Sequence, residues 1–340
     1  MLLPMTWNQR DHRITAAASL LVLISATLRA EDFSTASLAM VSPTITPMLL
    51  NAHAGVDVEV PADVEGQDAE FQKTTYRASL QGQVWHDNHQ ELVLTASYTR
   101  AHSDTTALFP DSGLGLPNDL YDLRVGAMYR YVLKDGTVYG FSGSVGNSSP
   151  TQVNSDNLSQ SVTLFTRQQS RGSDCWLFFL SYSSDRAVLN YVPFPGFAYF
   201  WNPSPKLHVI AGLPILAAIW TPSDLVRSEL FLSGFGSAHA GINDSPFRRA
   251  KYFKLSAAFD WGGDVFKRED DSDHNDHIIF RSIRYTAGAM LGKGQNRFVR
   301  IYGGYATNRQ IIEGRDIFDN SDHIDIRSGA VFGAAASYGF

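Results

Sequence analysis

The sequence lacks most of the devices that hold a compact soluble domain together. It has one cysteine, Cys175, in 340 residues, so no intramolecular disulfide forms and the fold rests on burial and backbone pairing. Charged residues make up 18%, below the roughly 25% of an ordinary soluble domain. The net charge of -6 leaves no basic surplus of the kind that binds nucleic acid. Beyond residue 28 no apolar run reaches the ~20 residues a membrane-crossing helix needs before charge, Pro or Gly interrupts it. No long segment has a helical period either, so any crossing of a membrane must be made by strands.

Glycine (27), phenylalanine (21) and tyrosine (14) are plentiful, a mixture that favours strands and tight turns. At the amino end Arg10 and Arg13 precede the apolar run ITAAASLLVLISATL, and Leu28-Arg29-Ala30 places a small residue after it. This layout predicts a secretory signal peptide over residues 1–30, the run being too short for a spanning helix. Residues 31–70, with prolines and the acidic VDVEVPADVEGQDAE, have no clear period and are expected to form a poorly ordered leader.

From about residue 75 the chain alternates. Tyr121, Leu123, Val125, Ala127, Tyr129 and Tyr131 share one face, with Asp122, Arg124, Gly126, Met128 and Arg130 on the other. Tyr76, Ala78, Leu80, Gly82 and Val84 oppose Arg77, Ser79, Gln81 and Gln83, and Leu255, Ala257, Phe259 and Trp261 oppose Lys254, Ser256 and Asp260. Asp135-Gly136 reads as a hairpin turn. Such segments number about twelve over residues 71–340, or about ten to fourteen with 188–193 and 215–220 as optional additions. Apolar side chains outward, charges inward and a secretory leader favour a closed antiparallel transmembrane β-barrel over a soluble sandwich, because lipid requires every backbone group to be paired. Arg77, Glu91, Asp122, Arg124, Arg130, Lys254 and Asp260 are then expected to line the lumen, and Tyr129, Tyr131, Tyr139 and Trp261 to sit at the membrane interfaces.

The chain ends GAAASYGF, with Phe332, Tyr338 and Phe340 on one face. This resembles the carboxy-terminal strand of Gram-negative outer-membrane barrels, in which a final Phe and alternating apolar residues are the signal read by the barrel-assembly machinery. The stretch Tyr191 to Pro214 is similar to a family of uncharacterised bacterial outer-membrane proteins. These resemblances imply a location in the outer membrane, with lipid and the assembly machinery as partners, and imply no activity.

Three functions follow from such a barrel. A porin-like channel for small polar solutes uses the inward charges. A lipid-modifying enzyme needs a base beside a nucleophile, for which His102, Ser103, Asp104, His86 and His89 are the candidates, yet adjacent strand residues point to opposite faces. A structural or adhesive barrel would act through external loops. In the loop REDDSDHNDH, Asp271, Asp273, His274 and His277 have metal-ligating chemistry without the glycine and terminal glutamate of an EF-hand, and Asp319, Asn320, Asp322 and His323 form a second such patch. A solvated charged loop explains both, and no cofactor or metal is expected. The channel is the favoured reading.

Overall fold

The computed structural model of the chain describes residues 42–45, 50–149, 158–184, 186, 188–189, 191–234, 236–246, 252–268, 277–292, 297–315, 318 and 322–339. It is all-β. The elements in order are β1 (Asn51–Asp63), β2 (Glu70–His86), β3 (Gln90–Thr105), β4 (Asp119–Val132), β5 (Val138–Ser149) and β6 (Leu158–Gln169). They continue with β7 (Cys175–Ser183), β8 (Phe194–Ser204), β9 (Leu207–Leu213), β10 (Ile215–Trp220), β11 (Val226–Ser233) and β12 (Ser237–Asp244). The last are β13 (Phe253–Lys267), β14 (His277–Gly292), β15 (Arg297–Gly314), β16 (Asp322–Ile326) and β17 (Gly329–Gly339).

Each strand pairs antiparallel with its neighbour, and the sheet closes where β1 meets β17, with Asn51 opposite Gly339. β15 pairs with both β16 and β17. These two are one stave interrupted at Arg327 and Ser328, so the barrel has sixteen staves. The expectation of about twelve is corrected by four strands whose sequences disguise them. β1 lies inside the acidic span read as leader, so the barrel starts at Asn51 and not at residue 71. Its acids alternate inward, where cations meet them. β8 carries Pro195 and Pro203. Pro195 lies beyond the end of β9, which joins β8 only from Phe197 onward, and Pro203 sits in the bulge between Trp201 and Ser204. Neither proline therefore stands in a regular part of the β8–β9 ladder, although Pro195 pairs with Leu180 of β7. β10 is short, as the optional 215–220 segment suggested. β11 and β12 read as one strand over 225–237 because the hairpin between them is only Gly234 to Gly236. Gly236 takes the positive φ of 91° that the turn needs.

With an even stave number both ends of the barrel chain lie at one end, here termed the base, and the opposite end is the crown. The middle of the outer face is apolar: Leu80, Val125, Leu164, Leu216, Val299, Ile301 and Phe332 are among the exposed side chains. Trp85, Tyr131, Tyr139, Trp176, Trp201, Trp220 and Tyr338, all exposed, stand near the base ends of their strands. Base turns are tight. In the Asp135-Gly136 hairpin the Leu133 N-H donates to the Thr137 carbonyl at 2.8 Å.

The wall is uneven. β9 to β12 have six to eight residues, whereas β13 to β15 have fifteen to eighteen. β12 accompanies β13 only as far as Trp261. Past Gly262 the β13–β14 hairpin continues without β12 and reaches across the interior, where Ser148 of β5 donates to the Val265 carbonyl at 3.3 Å. Both faces of this hairpin are buried. Phe266, Ile278 and Phe280 pack with Phe71, Phe109, Leu116 and Ile324, while Val265 and Ile279 pack with Ile312 and Val188. Burial on both sides explains the continuous apolar run Ile278-Ile279-Phe280, which departs from strict alternation.

Candidate functional site: the barrel interior

The inner face divides into two territories. On β1, β2 and β13 to β15 it carries a network of seven charges. Glu59 receives Lys73 at 3.2 Å, Arg309 at 2.9 Å and Arg284. Asp264 lies 3.4 Å from Arg77 and 3.7 Å from Lys73, and Asp57 accepts from Arg77 and from the Tyr302 hydroxyl. Four cations therefore face three carboxylates. On the opposite wall the base half of β3 to β11 is apolar, with Val93, Met128, Phe165, Leu177, Phe179, Phe200 and Phe231 in one cluster. The outer end of the Phe179 ring covers Gly196 of β8, its register neighbour, and a Cβ there would clash with the Cζ and Cε atoms of the ring.

Most of the expected inward residues are tied to one another. Glu91 accepts from Arg130 and, at 2.6 Å, from Gln83. Asp122 holds Arg124 at 2.9 Å, and Asp260 meets His239 at 2.7 Å, whose other ring nitrogen faces Glu229 at 3.4 Å. Arg130 also donates to the Ser42 and Thr44 carbonyls at 2.7 and 3.1 Å. A piece of the leader thus lies inside the base of the barrel, with Ile45 packed on the apolar cluster. Lys254 faces inward at the base start of β13. The charges that composition and alternation did not single out are Asp57, Glu59, Lys73, Asp264, Arg284 and Arg309. They obey the same every-second-residue rule, and treating residues 51–63 as a strand would have found the first two.

The crown is roofed by residues 106–118, which are fastened to the far wall. Asp322 accepts from the backbone N-H groups of Asp111 and Ser112 at 3.2 and 2.8 Å. The Ser112 hydroxyl donates to Glu313 at 2.7 Å, and Arg268 holds Glu313 at 2.6 Å and the Gly115 carbonyl at 3.3 Å.

Other sequence candidates do not converge. His102 points outward to Asp119 at 3.0 Å, while Ser103 points inward and donates to the Pro117 carbonyl. His89 contacts the Val132 carbonyl at 3.1 Å. Asp271, Asp273, His274, Asp319 and Asn320 lie outside the described residues. His277 is buried at the start of β14, and Asp322 is engaged in the roof. No group of three potential metal ligands occurs among the described residues. Phe332 and Tyr338 lie on the outer face of β17, and Phe340 is outside the described residues.

No family model matches the chain, and no curated protein does. Among solved structures it is similar to an outer membrane channel from Pseudomonas putida F1, with 8% identity over 87% of this chain and 97% of that one and a TM-score of 0.35. The TodX monoaromatic hydrocarbon channel gives 9% identity, 87% and 91% coverage and a TM-score of 0.38. A mutant porin from Rh. blastica gives 9% identity, 86% and 100% coverage and a TM-score of 0.32. Autotransporter translocator domains are also similar. At this level the likenesses carry no residue or role across to this chain.

Proposed function

We propose that the chain is an outer-membrane barrel of the channel type that passes small polar or ionic solutes. The observation that carries this reading is the combination of sixteen staves with an inner wall rich in charge. Barrels of about eight strands are filled by their own side chains, whereas those with 16 to 18 leave an aqueous path. Sealing by salt bridges, the alternative for a narrow barrel, is much harder to achieve at this width. The apolar outer face and the row of aromatic residues near the base support a position in lipid, with the base toward the periplasm and the crown outside. Secretion by a signal peptide over residues 1–30 and insertion through the Phe332, Tyr338 and Phe340 signal belong to the same proposal.

The catalytic alternative has little support in the geometry, since His102 and Ser103 are on opposite sides of the wall. The test is planar-bilayer recording with the refolded protein, whose folding is first established by a mobility shift on boiling. Discrete conductance steps are expected. A heat-modifiable barrel that gives none would overturn the channel reading.

A further inference from the structure

Basic residues recur around the base mouth. Arg130 and Arg167 stand near the base ends of β4 and β6, and His208, Arg227, Lys254 and Arg300 near the base starts of β9, β11, β13 and β15. Two of these have carboxylate partners, Arg130 with Glu91 and Arg227 with Glu229 at 3.5 Å. Arg167, Lys254 and Arg300 have none among the described residues. Arg167 donates to the Gly136 carbonyl and to Gln169 at 2.6 Å, and Arg300 lies over the Tyr302 ring at 4.8 Å. The Nε atoms of both are buried without a hydrogen-bond partner. Through the registers Arg227↔Asn243↔Ser256 and His208↔Ile219↔Glu229, Arg227 faces the same section of the inner wall as Lys254 and His208. Through the register Lys254↔Met290↔Arg300, Lys254 and Arg300 are two strand spacings apart, about 10 Å, on the same inner face.

An uncompensated cation inside a membrane protein persists only where water or a counter-anion reaches it. Several in one section of a lumen give that section a positive potential, and rings of Lys and Arg are the means by which pores favour anions. The positive section is set against a chain that is negative overall.

We infer that the base mouth is an anion-selecting section, in which Lys254 and Arg300 meet a small carboxylate- or phosphate-bearing solute. This rests on the channel reading and adds a substrate class to it.

The test is the reversal potential under a KCl gradient, with Lys254→Glu and Arg300→Glu combined in one variant and heat-modifiable mobility as the folding control. The wild-type barrel is expected to have a chloride-over-potassium permeability ratio above one, and the variant a ratio below one. A cation-preferring wild type, or a ratio the variant does not move, would overturn the inference while leaving the channel intact. Should there be no conductance at all, the channel reading fails by itself. The inference is then read from calorimetric titration of inorganic pyrophosphate onto the detergent-solubilised protein. Wild type should bind about tenfold more tightly than the variant, the equivalent of one charge-assisted contact, and equal affinities would sink it.

Discussion

Glu91 on β3 and Arg130 on β4 are register partners, both almost fully buried, and the guanidinium that neutralises Glu91 also holds the Ser42 and Thr44 carbonyls. One side chain thus fixes the charge balance at the base of the barrel and anchors the amino-terminal segment within it. Removing Arg130 leaves Glu91 buried without a counter-charge, with only Gln83 donating to it, and breaking a buried ion pair in this way costs about 3–5 kcal/mol. Arg130→Ala is therefore expected to lower stability by that order in urea unfolding of the refolded barrel. The double variant Glu91→Gln with Arg130→Met should recover much of the loss, because no buried charge remains. Strict additivity of the two changes would count against the pairing. Anchoring has its own readout: a cysteine placed by Ser42→Cys should react faster with a water-soluble maleimide when Arg130 is Ala.

At the crown, Asp322 performs a comparable task for residues 106–118. It takes two backbone N-H groups of that segment, and hydrogen bonds to a charged acceptor are worth about 1.5–3 kcal/mol each way of counting. Asp322→Ala should loosen the roof while leaving the staves paired. The expected result is faster proteolytic cleavage between residues 106 and 118 with unchanged heat-modifiable mobility, and conductance steps at least as large as those of wild type. Protection equal to wild type would mean that the remaining ties, Ser112 to Glu313, Arg268 to Gly115 and the apolar contacts of Phe109 and Leu116, hold the roof without Asp322.

The stave fold was legible wherever one side of a strand faces an apolar surrounding and the other a polar interior, as on Tyr121 to Tyr131. It was illegible where that contrast fails. β1 presents Asp57 and Glu59 to cations that come from β2, β14 and β15, so its acids looked like solvation until their partners were known. The β13–β14 hairpin is covered on both sides by the roof and by Val188, which erased its period. At β8 the prolines hid a strand whose neighbour β9 ends before one ring nitrogen and bulges at the other. The interior charges were readable as a class from spacing alone. Their pairing was not, because it depends on shear between strands far apart in sequence, as in Glu59 with Arg309.

The apolar wall offers a test of packing. Phe179 lies on Gly196 with no room for a Cβ, so the pair behaves as ring and seat. Gly196→Ala forces the ring off its place, an overpacking change of about 1–3 kcal/mol. Phe179→Leu removes the clashing end of the ring and should relieve most of that cost in the double variant. Thermal or urea unfolding of the four proteins gives the coupling directly. A Gly196→Ala barrel as stable as wild type would show that the ring moves freely and that the glycine has no seating role.

The position in lipid can be tested by a substitution whose cost has a different magnitude in water and in a bilayer. Ile301 is 61% exposed on the outer face of β15, well inside the run of the strand. In a water-soluble protein Ile301→Arg would replace one exposed side chain by another, within about 0.5 kcal/mol. On the lipid face near the bilayer midplane the same arginine costs about 2–4 kcal/mol, falling to about 0–1 near the interfaces. Tyr338, exposed at the base end of β17 beside Arg297, is the matched interfacial position. Unfolding in liposomes should therefore show a large loss for Ile301→Arg and a small one for Tyr338→Arg. Two small losses would remove lipid from the outer wall, and with it the reason for the sheet to close and the path to conduct.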